Sequence, residues 1–168
     1  MGFQEIGISE LTMNPFEKIG SDWALLSAGD AESFNTMTVS WGGLGVIWNK
    51  NVATVYVRPQ RYTKRFIDGA ERFTLSFYDA KHKRALGVLG TKSGLDTDKV
   101  GEVGFTPFET DGTIAFEEAE LILVCRKLYV DTIKPECFID RSCDESCYPE
   151  RDHHAVYIGE VEKVLRHA

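Results

Sequence analysis

Residues 34–64 read FNTMTVSWGGLGVIWNKNVATVYVRPQRYTK, and their pattern decides the fold. From Asn35 to Trp41, Thr36, Thr38 and Ser40 alternate with Met37, Val39 and Trp41. A period of two gives a strand with one polar and one apolar face. Gly42, Gly43 and Gly45 follow, which suits a bulge or a close backbone approach. Val46-Ile47-Trp48, a tight turn at Asn49-Lys50-Asn51, and Val52 to Val57 then read as a β-hairpin with branched and aromatic strands. Pro59 cannot continue the ladder. Thr63 to Asp68 reads as a helix, with Thr63 or a near neighbour as its cap and Gly69 as its stop. One unit thus offers a polar, glycine-ended strand and a cationic, hydroxyl-bearing helix entrance. That pairing suits a ligand with a flat polar ring at one end and a phosphate at the other, since helix-start N–H groups and an arginine fork both favour phosphate oxygens.

Working outward, the remainder is also strand-rich. Pro15 breaks whatever precedes it, and Phe16 to Ile19 reads as a short strand or turn. Trp23 to Asp30 is an apolar run ending in a Gly-Asp turn, and Arg72 to Tyr78 alternates as a strand. Lys81 to Leu89 reads as a short helix ending at Gly90. Thr91 to Gly104 is a polar loop with a helical turn near Lys99. Ile114 to Ile133 is β-type with a break at Glu117-Glu118, and its second part is either two paired strands or one bent strand. His153 to Val161 closes the chain as a final strand. Six or more strands with two or three short helices, and no regular alternation with long helices, exclude a doubly wound parallel sheet. The expectation is a mainly β, antiparallel barrel with helices at its ends.

The chain has 168 residues, 43% of them apolar, and a net charge of −7. That length fits one domain, 1–168, burying roughly 70% of its unfolded surface. The acidic balance argues against a general nucleic-acid partner. No apolar run nears the ~20 residues of a membrane-spanning helix. The N-terminus lacks the basic start of a secretory signal, and Ile6 stands where a myristoylation signal requires Ser or Thr. The expected location is the cytoplasm, where Cys125, Cys137, Cys143 and Cys147 remain reduced. The Cys137–His153 loop is the alternative seat of function, as a metal-binding module, but its cysteine spacings are not those of a zinc site. Gly43-Leu44-Gly45 lacks the third glycine and the helix of a dinucleotide fingerprint. Asp96 and Asp98 lack the rest of a calcium loop.

Four stretches taken together, Asn35 to Gly42, Arg58 to Thr63, Ser93 to Lys99, and His154 to Val161, resemble the flavin reductase-like, flavoredoxin-type family in order and spacing. The resemblance spans roughly residues 14–165. It implies a split barrel that binds FMN, with a homodimer placing each flavin near the subunit interface. It further implies that Asn35, Thr36, Met37, Thr38, Ser40, Trp41 and Gly42 border the ring. Arg58, Arg61, Tyr62 and Thr63 hold the phosphate, and Ser93, Asp98, Lys99 and His154 face the substrate. The implied function is an FMN-dependent oxidoreductase passing electrons from NAD(P)H to a second acceptor. A flavoredoxin-like carrier with little NAD(P)H turnover is the alternative. No side chain is singled out as an acid or base, because the cofactor carries the chemistry. The cysteine-rich segment from Pro135 to Pro149 departs from the family pattern.

Overall fold

The computed structural model describes residues 2–168; Met1, the first residue of the N-terminal stretch read above, lies outside them. Among the described residues ten strands form the frame: β1 (Phe3–Ile6), β2 (Ala24–Gly29), β3 (Phe34–Val39), β4 (Gly42–Ile47), β5 (Lys50–Val57), β6 (Arg72–Phe77), β7 (Pro107–Thr110), β8 (Thr113–Phe116), β9 (Leu121–Thr132) and β10 (Ala155–His167). Five short helices accompany them: α1 (Pro15–Gly20), α2 (Thr63–Gly69), α3 (Lys83–Thr91), α4 (Lys99–Val103) and α5 (Arg141–Cys147).

The main sheet is antiparallel throughout and runs β3-β2-β6-β9-β10-β5-β4, while β7 and β8 make a separate pair. Its first and last strands, β3 and β4, are neighbours in the chain, joined only by Ser40 and Trp41. They share no ladder, so the sheet curls until its ends meet at that link and stays open there. The antiparallel barrel is therefore split, as the resemblance implies. β10 carries the curl: its first half pairs with β5, its last residues pair with β1, and it follows β9 across two register shifts. Such shifts bend a long strand.

Two apolar clusters explain why several strands read as continuous apolar runs. Leu26, Leu75, Leu123 and Tyr157 pack inside the curl, whereas Leu25, Ile122 and Val124 pack outward under Leu86, Leu89, Phe105 and Phe116. Strands β2 and β9 are thus covered on both faces, where alternation gives way to unbroken hydrophobicity.

Several local readings change. Phe16 to Ile19 is helical, not a strand or turn: Pro15 opens α1, because a missing N–H is harmless at the first helical position, and the Asn14 side chain caps it by accepting from the Phe16 amide. The hairpin turns at Trp48-Asn49, both at positive φ, one position earlier than the sequence suggested. Residues 42–47 are a strand in unbroken register with β5, and of the two readings for its glycines it is the close backbone approach that holds, at Gly42. Leu121–Thr132 is one bent strand. Thr63 does not cap α2, since no side chain does so there, and α3 runs through Gly90 to Thr91. The cysteine-rich stretch is not a plain loop: Asp140 caps α5 by accepting from the Ser142 amide.

Candidate functional site

The sequence motifs converge where the start of β3, the entrance of α2 and the end of α3 meet. Asn35 is buried and donates from Nδ2 to Thr63 Oγ1 at 3.0 Å, tying β3 to α2. Its Oδ1 faces Gly94 so closely that a Cβ there would lie 2.2 Å away. The 93–94 backbone can approach only because that residue is glycine.

The carbonyls left over at the end of α3 draw in two cations. Arg61 donates from both Nη atoms to Gly90 O at 2.9 Å. Lys99, almost fully buried, donates from Nζ to Leu89 O at 2.9 Å and to Lys92 O at 3.0 Å. Cations commonly satisfy the last carbonyls of a helix. Burial lowers the basicity of both groups, and the neighbouring Arg61 contributes further at Lys99, whose pKa falls to about 8. Neither cation pairs with a carboxylate among the described residues. Together with Asn35, Gln60, Tyr62, Thr63, Thr91, Lys92, Ser93 and Gly94 they line a cavity of about 200 Å³ that contains no acidic side chain. Two clustered cations without a counter-charge, ringed by hydroxyl and amide groups, make a receptor for an anion. A second cavity of about 450 Å³ shares Asn35, Gly94 and Lys99 with the first and runs along residues 95–100.

At the other end of β3, Ser40, Trp41 and Gly42 border a third and mainly apolar cavity of about 550 Å³, with Tyr56, Ile133 and the α1 residues Phe16 and Ile19. Trp41 is 47% exposed. Gly42 lies flat against β5, where a Cβ would meet Thr54 O at 2.9 Å.

Other expected site residues sit differently. The polar face of β3 exists, but it is covered. Thr36 is fully buried, with Oγ1 2.8 Å from Ser27 Oγ and donating to Leu26 O at 3.0 Å. Met37 belongs to the core. Thr38 donates to Leu86 O at 2.5 Å, beneath α3. These three side chains hold the strand in place rather than face a cavity. Arg58 lies outside the cationic cavity: Nη2 donates to Cys147 O at 3.0 Å and Nη1 pairs with Asp152 at 2.7 Å. Tyr62 stacks edge-on against Phe66 at 5.1 Å. Ser93 Oγ accepts from the Leu95 amide, and Asp98 caps α4 by accepting from the Gly101 amide. His154 packs on Trp41 at 5.2 Å, and its Nδ1 lies 2.7 Å from the Tyr148 hydroxyl.

Thr91, Lys92 and Tyr148 were not among the expected site residues. A hydroxyl and a cation directly before Ser93-Gly94 were the available signal for the first two; nothing local pointed to Tyr148. Among the described residues no group of three or more His, Cys, Asp or Glu side chains gathers as a metal site. His153 is instead held by Asp144 at 2.5 Å, so the alternative metal-binding module has no assembled centre. A larger cavity of about 760 Å³, lined by residues 11–13, 79, 81–82 and 117–121, mixes Glu117, Glu118 and Glu120 with Lys18, Lys81 and Arg166 and has no dominant charge.

The fold has close counterparts. An FMN-binding protein from Thermus thermophilus, solved with bound p-hydroxybenzaldehyde, superposes with a TM-score of 0.69 at 20% identity, covering 98% of this chain and 82% of that one. The flavoredoxin of Desulfovibrio vulgaris (Miyazaki F) gives 0.68 at 20% identity, covering 98% and 77%. The styrene monooxygenase flavin reductase from Pseudomonas putida S12 gives 0.61 at 16% identity, covering 85% and 77%. No curated protein sequence matches the chain significantly. The model of the flavin reductase like domain matches residues 16–168, nearly the whole chain, and the chain therefore belongs to the flavin reductase-like domain family.

Proposed function

We propose that this chain is a single-domain FMN-dependent oxidoreductase that passes electrons from NAD(P)H to a second acceptor. Its cofactor is FMN. The observation that carries this reading is the carboxylate-free cavity holding Arg61 and Lys99 at one end of β3, with an open cavity at Ser40-Trp41-Gly42 near the other. The six residues of β3, Phe34–Val39, span on the order of 20 Å at ~3.3 Å per residue. That length accommodates a phosphate, a chain and a ring laid end to end.

FMN supplies the redox chemistry when bound; the protein binds, orients and shields it. Arg61, Lys99, Tyr62, Thr63 and Ser93 receive the phosphate. Asn35 fixes the register of β3 against α2, and the backbone of β3 with Ser40, Trp41 and Gly42 meets the ring. No acid or base of the protein is required to move electrons. The likeness to a flavoredoxin, with no pyridine-nucleotide fingerprint in the sequence, favours as second reading an electron carrier with little NAD(P)H turnover.

The protein acts as a homodimer. β4 is a terminal strand of the sheet path, and Val46, Ile47 and Trp48 at its end are exposed beside Tyr129 and Val130. An unpaired edge with exposed apolar residues is a natural pairing surface. The four cysteines are all free thiols, which fits a cytoplasmic location.

The test is an absorption spectrum of the purified protein before and after adding FMN and removing the excess, followed by NADH and NADPH oxidation with an artificial acceptor. Bound FMN with turnover supports the oxidoreductase. Bound FMN without turnover selects the carrier. A protein that refuses FMN overturns both.

A further inference from the structure

Three of the four cysteines lie between Pro135 and Pro149, the segment that departs from the family pattern. All four are free thiols, but they are not equivalent. Cys125 is sealed in the barrel core, where burial pushes its thiol far above the ordinary range. Cys137 and Cys143 are exposed, and Cys147 is half-buried. Cys143 and Cys147 both belong to α5 and stand four residues apart. That spacing puts them on one helix face with Cβ atoms ~5–6 Å apart. At about 1.5 Å rise per residue their Cα atoms are ~6 Å apart. Disulfides span Cα separations of roughly 4.4–6.8 Å and Cβ separations of roughly 3.5–4.5 Å. The α5 backbone is therefore already within bridging range, and the side chains need to close by only ~1–2 Å.

A clamp on Cys147 resists that closure. The first turn of α5 is fixed, because Asp140 accepts from the amide and the hydroxyl of Ser142 at 3.0 and 2.6 Å. Closure therefore falls on the last turn, which ends at Cys147. There Arg58 Nη2 donates to the Cys147 carbonyl at 3.0 Å, and Nη1 pairs with Asp152 at 2.7 Å. The same guanidinium lies over the Tyr148 ring at 5.1 Å, and Gln60 donates to the other oxygen of Asp152 at 2.7 Å. Across the turn itself the Tyr148 amide donates to Asp144 O at 2.9 Å. Moving Cys147 by ~1 Å takes these bonds outside the usual N–H···O range, which ends near ~3.2 Å.

We propose that Cys143 and Cys147 are a dithiol–disulfide couple, a second reactive site that exchanges with external disulfides and, once oxidised, frees the end of α5 from Arg58. In the exchange Cys143, as the thiolate, attacks one sulfur of an external disulfide and expels the other half as a thiolate. Cys147 then loses its proton to solvent and attacks the Cys143 sulfur, expelling the second half. Two cysteine thiols are oxidised to one S–S bond, and the external disulfide takes the two electrons and becomes two thiols. In a reducing compartment such a bond is transient and serves catalysis or sensing. The clamp favours the dithiol, so by reciprocity its removal favours the disulfide. The couple goes beyond the oxidoreductase reading and does not depend on FMN.

The test equilibrates the full chain, without FMN, in buffers of graded oxidised and reduced glutathione, then alkylates free thiols and maps peptides by mass. The expected product is two hydrogens lighter, linked between Cys143 and Cys147, with Cys125 still reduced. Cys137→Ser should leave that link in place, whereas Cys143→Ser and Cys147→Ser should carry only glutathione adducts. Arg58→Ala should reach its midpoint with about tenfold less oxidant, the equivalent of one charged hydrogen bond. Asp152→Asn should shift the midpoint the same way by less, and it serves if Arg58→Ala does not fold. Amide hydrogen exchange should rise over residues 144–152 on oxidation and stay unchanged in β9 and β10. Glutathione adducts alone in the unmodified protein, or a link through Cys137, overturn the proposal. So does a midpoint that neither clamp variant moves, or unchanged exchange at the Tyr148 amide in the oxidised form.

Discussion

Lys99 is structural in the fold and, in the proposed function, a phosphate ligand as well. Its ammonium closes α3 by donating to two carbonyls, and it shares a carboxylate-free cavity with Arg61. Its pKa in the fold, about 8, lies below the ordinary 10.5. Between those values the unfolded chain holds a proton that the folded one lacks, so this group's contribution to apo-protein stability rises with pH across that window. Phosphate binding has the opposite sign, because the anion needs the charged form. FMN affinity should be full between about pH 6, the second ionisation of a phosphate monoester, and pH 8, and fall as pH rises through about 8, read as a break in log Kd against pH. Lys99→Met should remove the break and weaken FMN about 10- to 150-fold at neutral pH, the scale of one charged hydrogen bond of about 1.5–3 kcal/mol. Gly94→Ala tests the same corner without touching a charge. Its Cβ would fall 2.2 Å from Asn35 Oδ1 and so displace Asn35 from Thr63. FMN affinity should drop about tenfold, near 1.4 kcal/mol, while the melting temperature changes little. An unaltered Kd would separate the 93–94 loop from the cofactor site.

Among the elements, β9 and β10 are the backbone of the barrel, and their bend depends on a close packing point. A Cβ at Gly159 would lie 2.7 Å from the Phe73 ring and 3.0 Å from Cys125 Cβ, just where the register shifts between Ile158 and Gly159. Phe73 and Cys125 are both fully buried, so neither can move aside freely. Gly159→Ala should therefore lower stability by about 1–3 kcal/mol, as overpacked cores do, measured by denaturant unfolding. The β4–β5 hairpin offers a change of the opposite sign. Asn49 sits at φ 56° in the turn, a conformation in which glycine carries no Cβ penalty. Asn49→Gly should raise the unfolding midpoint slightly, on the order of 0.5 kcal/mol. A midpoint that fell would mean that the Asn49 side chain supports the turn in some other way.

For the whole molecule, the question is what covers the open end of the sheet. The β4 edge and the exposed Val46, Trp48 and Tyr129 predict a concentration-dependent dimer in sedimentation velocity. Val46→Asp, at a position already 72% exposed, should shift that equilibrium toward monomer with the fold intact by circular dichroism. A protein that sediments as monomer at every concentration would leave the edge without a partner of its own kind.

The sequence by itself determined the mainly β class, the hairpin, the strand at 34–39, the helices near 63–69 and 83–91, and the family, because those follow from period, turn residues and motif order along the chain. It also named Asn35, Arg61, Thr63 and Lys99, but for three different roles, at the ring, at the phosphate and facing the substrate; that they line one cavity came only from the fold. Only the tertiary structure decided which of the alternating threonines face solvent. The polar side of β3 looked exposed in one dimension, but α3, nearly fifty residues later, covers Thr38 through Leu86 O. The same is true of Arg58: its local sequence offers a fork for phosphate, and a segment about ninety residues downstream occupies that fork. Local pattern fixes what a strand is and which chemistry it carries, whereas burial and partnership come from contacts between distant segments, which no local period encodes.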